Sequence, residues 1–289
     1  MTARWPALLL AALLALPAAA KERADRYSVM TYNIRLDLAS DGDNAWQYRR
    51  HALTSLVAYY APDLVGMQEV LLHQKQEIEA DLPGYAFVGQ GRDDGRSTGE
   101  HAPLGYRRDR FQPVASGTFW LSPTPEIPGK GWDAAYPRIA SWARLWDKGA
   151  MRSLLVVNTH MDHVGSTARI EGARLIRRWI GTHRKRGDTL VLMGDFNSPK
   201  GSPAYAAITE PGEGALRDTL TISRTPHFGP LGTFTAFRIE QVEEAPIDHI
   251  FVGDGVTVLR HATLTQQTGG ELPSDHYPVL ADLCVGERC

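Results

Sequence analysis

The chain has 289 residues, of which 43% are hydrophobic and 22% charged, with a formal net charge of −2. That composition excludes a disordered or collagen-like chain, and the length suffices to bury a core without a zinc or disulfide staple. With no linker composition, charge block or internal repeat, it reads as one large domain rather than two small ones.

The first residues read as a leader. Arg4 precedes an apolar run from Ala7 to Leu16, and Pro17 and three alanines separate that run from Lys21. A basic start, a short apolar stretch and small residues at a cleavage site make a secretory signal peptide over 1–20. The run falls well short of the roughly 20 residues that span a bilayer, and no cysteine follows it for lipid attachment. The expectation is an exported domain over 21–289, periplasmic or secreted, monomeric and without a stable membrane anchor. Losing Arg4 leaves 30 basic residues against 33 acidic ones, so the total carries no basic footprint for gripping nucleic acid. A local groove could still hide in that total, with Arg92, Arg96, Arg107, Arg108 and Arg138 as its candidates. Cys284 and Cys289 are the only cysteines. Their spacing suits neither a zinc knuckle nor a redox centre, and whether they pair stays open.

Residues 27–36 read as the first strand. Leu53, Leu56, Val57 and Tyr60 fall at i, i+3, i+4 and i+7, which predicts an amphipathic helix closed by Pro62. A short apolar strand over 63–69, a polar helix over 71–82 and a strand over 85–89 follow, then a Gly/Asp loop over 90–101. Strands are expected over 119–121, 139–146 and 153–157, each flanked by turn residues. Ser166 or Thr167 is the expected cap of a helix with Ile170, Ala173, Ile176 and Ile180 on one face. Residues 189–193 form an apolar strand, 198–246 are loop-rich, and the last strands lie near Ile250, Val258 and Val279. Strands mixed with helices and hairpin-like stretches give an α/β chain with at least two sheets.

Six polar clusters sit beside these apolar strands: Thr31-Tyr32-Asn33, Gln68-Glu69, Asn158-Thr159-His160, Gly194-Asp195-Phe196-Asn197, Asp248-His249 and Ser274-Asp275-His276. One alone is a cap or a turn. Six together collect polar groups at strand ends, where ligands bind. Carboxylates and amide oxygens with few thiols suit a hard cation such as Mg2+ or Mn2+. Histidine beside aspartate suggests oriented imidazoles. No Gly-x-Ser-x-Gly elbow, Walker loop or His-Glu-x-x-His is present. Hydrolysis of a phosphate ester by activated water fits this set.

In order and spacing, the clusters resemble the endonuclease/exonuclease/phosphatase superfamily over about 27–283, most specifically at Gly194-Asp195-Phe196-Asn197 and Ser274-Asp275-His276. The runs 41–46, 91–95 and 117–122 are similar to an exported bacterial branch related to the nocturnin-type group. The resemblance implies a four-layered αββα sandwich, two packed mixed β-sheets flanked by helices, with the site at one edge. It implies Glu69 as principal metal ligand, Asn33 beside it, and Asp275 acting through water. Asp195 would orient or deprotonate the attacking water, and Asn197 would bind the phosphate. His276, held by Asp248, would meet the scissile group, with His160 opposite it and oriented by Glu100. Asn158, supporting the His160 strand, and His163 are the substrate-side candidates, with Asp162 and Arg169 weaker ones. Arg92, Asp93 and Arg138 either shape substrate binding or are solvated. Trp120, Trp132, Trp142 and Trp146 read as packing residues.

The implied activity is metal-dependent hydrolysis of a phosphomono- or phosphodiester. The alternatives are a nuclease, including a 3′-exoribonuclease, and more remotely a non-catalytic binding module on the same fold. Relatives that cut duplex DNA carry basic inserted loops, whereas 90–101 and 198–230 here are mixed or acidic. Nucleic acid is therefore a partner the sequence permits without favouring.

Overall fold

The computed structural model describes residues 25–289 apart from 213–214 and 287–288. The leader expected over 1–20, with its cleavage before Lys21, lies outside the described residues. One sheet contains β1 (Arg26–Asn33), β2 (Leu64–Gln68), β3 (Tyr85–Val88), β4 (Leu104–Arg107), β11 (Val256–Thr263) and β12 (Val279–Val285), in the order β11-β12-β1-β2-β4-β3. The other contains β5 (Phe111–Trp120), β6 (Ile139–Asp147), β7 (Arg152–His160), β8 (Thr189–Asp195), β9 (Arg217–Asp218) and β10 (Asp248–Val252), in the order β5-β6-β7-β8-β10-β9. Each sheet is mixed, with one parallel pair at its centre: β1 with β2, and β7 with β8.

Strand alternation builds the layers, because successive side chains point to opposite faces. Val29, Leu64, Leu154, Val156, Val191, Met193, Ile250 and Val252 share one cluster between the sheets. Their neighbours Leu155, Val157, Leu190, Leu192 and Phe251 face outward, onto Ala173, Ile176 and Ile180 of α3 (Ser166–His183) and onto Ala204 and Ile208 of α4 (Pro203–Thr209). On the other side, Met30, Tyr32, Val65 and Met67 meet Leu53, Leu56 and Val57 of α1 (Trp46–Tyr60) and Ile78 of α2 (Leu72–Asp81). Two sheets with helices outside both make the expected αββα sandwich. A one-turn helix, α5 (Thr219–Ile222), follows β9.

The strand expected over 119–121 begins earlier, at Phe111, and the loop-rich stretch 198–246 contains α4 and α5. Three further details depart from the sequence reading. β1 stops at Asn33 rather than 36, where Arg35 takes a left-handed φ of 57°. Neither Ser166 nor Thr167 caps α3. Its free N–H groups at Thr167 and Ala168 donate to the Asp133 carboxylate, 3.2 and 2.6 Å away, from a loop over thirty residues earlier.

Asn158 is the third departure. Rather than contacting substrate, it is fully buried and staples the two sheets. Its Oδ1 accepts from Gln68 Nε2 at 2.7 Å, and its Nδ2 donates to the carbonyls of Met67 and Pro103 at 2.8 and 2.9 Å. Gly66 opposite has no room for a side chain, since a Cβ would lie 2.5 Å from Asn158 Oδ1. At the C-terminus Cys284 and Cys289 are disulfide-bonded, their Cα atoms 5.7 Å apart.

Candidate active site

Sheet register brings the clusters together. Asn33 pairs with Gln68 across β1 and β2, and His160 pairs with Asp195 across β7 and β8, so both parallel pairs deliver their C-terminal ends to one edge. β10 runs the other way and sets Asp248 opposite Asp195. The segment before β12 brings Ser274 to the first loop, where its Oγ donates to the Asn33 carbonyl at 2.7 Å. Gly194 lets β7 and β8 approach here: its φ is 151°, and a Cβ would lie 2.1 Å from the Thr159 carbonyl oxygen. The residues surround a cavity of about 590 Å3 whose lining includes Glu69, His160, Asp195, Asn197, Asp275 and His276.

One side of this cavity is acidic. Glu69 has a left-handed φ of 61°, which turns its side chain off the end of β2. Its Oε1 accepts from Asn33 Nδ2 at 3.0 Å and its Oε2 from the Leu36 N–H at 3.2 Å. Asp275 is 5% exposed. Burial pushes its carboxyl up, and the nearby Glu69 adds to this against the lowering pull of His276. Two crowded carboxylates, all oxygen donors and no thiol, fit a hard divalent cation, which would relieve their repulsion. Asn33 differs from the sequence expectation. Its Oδ1 accepts the Arg35 N–H at 3.0 Å, while its Nδ2 also donates to Asp195 Oδ2 at 3.0 Å. It therefore stands as a donor bridging Glu69 and Asp195, with its oxygen turned away from the carboxylates.

Asp195 occupies the centre. Its Oδ2 lies 3.6 Å from His160 Nε2 and 3.8 Å from His276 Nε2, and its Oδ1 accepts the Asn197 N–H at 2.9 Å. Burial, then the Asp248 carboxylate, push its carboxyl far above the ordinary carboxylate range. The two imidazoles differ. Burial alone would lower His276, but the Asp248 carboxylate, 2.8 Å from its Nδ1, outweighs this and holds the ring protonated well above its ordinary value. His160 is pushed well below, by burial first and then by the guanidiniums of Arg138 and Arg92. The two rings are thus pushed in opposite directions, His276 towards the imidazolium and His160 towards the neutral form. Asp195, Asp248 and His276 each offer a ligand atom within 4.8 Å of the others, the spacing of a metal group, but His276 could serve as a ligand only after losing its ring proton.

Asn197, at a φ of 46°, donates from Nδ2 to His160 Nε2 at 3.2 Å and to the Met161 carbonyl at 3.0 Å. Glu100 is near His160 but not bonded to it. The Nδ1–Oε2 distance is 3.9 Å, and the carboxylate pairs instead with Arg92 Nη2 at 2.7 Å. Buried nitrogens of Arg92 (Nε), Arg138 (Nη1) and His160 (Nδ1) have no hydrogen-bond partner among the described residues. All three residues, with Glu100, line a void of about 10 Å3, roughly the room one water needs.

Arg92 and Arg138 are buried and line the main cavity, so the solvated-loop alternative for them is set aside. Asp93 is exposed. His163 also lines the cavity, while Asp162 is buried behind it and Arg169 donates to the Asp162 carbonyl at 3.0 Å. Among the described residues the five candidate arginines form no common basic groove, since only Arg92 and Arg138 line the main cavity. Arg96 is exposed and outside the lining, Arg107 pairs with Asp109 beside a different cavity, and Arg108 Nε donates to the Tyr85 carbonyl. None of the four tryptophans named above lines the main cavity, although Trp120 supports it by donating to the Arg92 carbonyl at 2.7 Å.

Sequence reasoning missed Tyr136, Phe234, Glu243 and Arg49. The first three lie in loops and line the cavity. Buried Arg49 donates to the carbonyls of Ile34, Arg35 and Pro273, tying the loops around the acidic side. Its position within helix α1, which pointed only to packing, gave no signal of this role.

Carboxylates, amides and two histidines of opposite charge preference at the edge of an αββα sandwich define a site of the phosphoester-hydrolase class. The model of the endonuclease/exonuclease/phosphatase family matches residues 30–276, and the chain belongs to this family of hydrolases acting on phosphoester bonds. A mannosyl-6-phosphatase of Bacteroides thetaiotaomicron is 37% identical, with a TM-score of 0.84 over 89% of this chain and 99% of that one. An endonuclease/exonuclease/phosphatase from Bacteroides vulgatus is 40% identical, with a TM-score of 0.84 over 90% and 99%. The catalytic domain of human nocturnin shares the fold, with a TM-score of 0.71 at 18% identity over 91% and 94%. Two uncharacterized proteins of Acanthamoeba polyphaga mimivirus match at 23% and 24% identity, and the chain spans 40% and 59% of their lengths.

Proposed function

We propose that the protein is a divalent-metal-dependent phosphoesterase that hydrolyses a small phosphoester, with a sugar phosphate as the favoured class, by in-line attack of water. The observation that carries this is Asp195 Oδ2 standing 3.6 and 3.8 Å from two imidazoles, in a cavity that also contains Glu69 and Asp275. Glu69 and Asp275 would hold the cation, which when bound supplies charge neutralisation at the phosphoryl oxygens. Asp195, a weak acid for a carboxyl, takes the proton from the attacking water. Asn33 fixes it relative to Glu69. The imidazolium of His276, kept charged by Asp248, donates to a phosphoryl oxygen as negative charge develops there. Asn197, whose Nδ2 donates to His160 Nε2 and to the Met161 carbonyl, holds the neutral His160 ring in place beside that group.

The cavity volume of about 590 Å3 suits a small ligand. The mannosyl-6-phosphatase likeness supports a sugar phosphate, and the absence of a basic groove among the described residues weighs against a long polyanion. The test is a panel of sugar phosphates, phosphodiesters, single-stranded RNA and plasmid DNA, assayed with Mg2+ or Mn2+ and with chelator. Turnover that persists undiminished under chelation, or efficient cutting of a polymer with none of any small ester, would refute the reading. We also propose export; the Cys284–Cys289 disulfide supports it, since such bonds persist in oxidising compartments. An intact N-terminus on cytoplasmic protein would count against it.

A further inference from the structure

Beyond His160 the cavity has a second wall, built from loops rather than strand ends. Arg138 Nε approaches Asp162 Oδ2 at 3.3 Å, and its Nη2 lies 2.9 Å from His163 Nδ1. Asp162 also accepts the N–H groups of Ala135 and Tyr136 on Oδ2, at 3.1 and 3.4 Å, and those of Val164 and Gly165 on Oδ1, at 3.0 and 2.7 Å. One buried carboxylate thus ties two loops into a single rigid face. Tyr136 lies over this face, its ring stacked on His163 at 6.1 Å between centroids, with the Arg92 guanidinium carbon 5.0 Å from its centre. It is nevertheless 50% exposed and lines the cavity.

Charge decides what such a wall takes. Arg92 is matched by Glu100 and Arg138 by Asp162, so its formal charges cancel while donors and acceptors both remain. A second phosphate would meet Glu100 as well as the arginines. A neutral polyol offers hydroxyls that donate to carboxylate and accept from guanidinium, and the apolar face of a pyranose covers an aromatic ring. We propose that Arg92, Glu100, Tyr136, Arg138 and His163 form the leaving-group subsite, which takes a neutral hexose whose phosphate lies at Asp195. This rests on the phosphoesterase reading above and adds the residues that select its substrate.

The experiment compares mannose 6-phosphate with methyl phosphate in the metal-loaded protein. Methanol and a primary sugar hydroxyl are leaving groups of similar basicity, so the ratio of the two kcat/KM values reads leaving-group binding. Tyr136→Leu should lower that ratio at least tenfold, mainly through KM for the sugar phosphate, and Tyr136→Phe should restore most of it. A ratio unchanged in Tyr136→Leu, or equally low in both variants, overturns the subsite while leaving the hydrolase reading intact. Saturation-transfer NMR of free mannose with the metal-free protein gives a readout independent of hydrolysis. Mannose binding that Tyr136→Leu abolishes, in a protein that hydrolyses neither ester, would uphold the subsite and overturn the hydrolase reading. Neither binding nor hydrolysis would overturn both.

Discussion

At the scale of single residues, the two histidines are pushed in opposite directions and the Asp195 carboxyl is raised. If Asp248 acts by holding His276 protonated, Asp248→Asn and His276→Ala should each cost about 10²–10⁴-fold in kcat/KM, and the double variant should lose little more than the worse single one. Multiplicative losses would show that the pair is not one unit. Asp195 must be ionised to take a proton, and burial and Asp248 both raise its carboxyl. In the metal-free protein the Asp195 carboxyl should therefore titrate, by NMR, well above the ordinary carboxylate value. An inflection near 4 in that titration would contradict the raised acid.

At the scale of elements, the strands carry the site because two parallel pairs end at one edge, and the sheets must be locked to each other for the halves to register. Asn158 and Gly66 provide that lock. Gly66→Ala would drive a Cβ to 2.5 Å from Asn158 Oδ1 and 2.8 Å from Met193 Cγ. The expected cost is about 2–3 kcal/mol, a fall in Tm of about 4–12 °C, which thermal denaturation reads directly. An unchanged Tm would show that the sheets are held by apolar packing alone. Most of this architecture was legible: short apolar runs found β2 and β8, β-former stretches flanked by turn residues found β6 and β7, and 3.6-residue spacing found α1 and α3. What was not legible was whatever depends on distant loops. Asp133 capping α3, Glu100 choosing Arg92 over His160, and Arg138 reaching Asp162 are all contacts between segments whose approach no local pattern encodes. The polar clusters identified which residues gather, but the direction of the Asn33 amide depended on Arg35 turning back onto it.

At the scale of the whole molecule, stability and substrate choice both follow from charge burial. His261 is buried against His227, their Nδ1 atoms 2.9 Å apart, and burial followed by His227 pushes its imidazole down from 6.5 to about 4. Between those values the unfolded chain binds the proton and the folded one does not, so stability is full above pH 6.5 and is lost as pH falls towards 4. The loss amounts to about 3 kcal/mol. His261→Gln should flatten the fall in Tm between pH 7 and 4.5, and an undiminished slope would assign the acid sensitivity elsewhere. The central claim, that Glu69 holds the cation a phosphoesterase needs, is tested most directly by Glu69→Gln. Calorimetric titration with Mn2+ and turnover of mannose 6-phosphate should be measured on one preparation whose Tm matches the parent protein. Metal affinity should collapse and kcat/KM should fall about 100-fold or more. Unchanged affinity with unchanged turnover would contradict the claim.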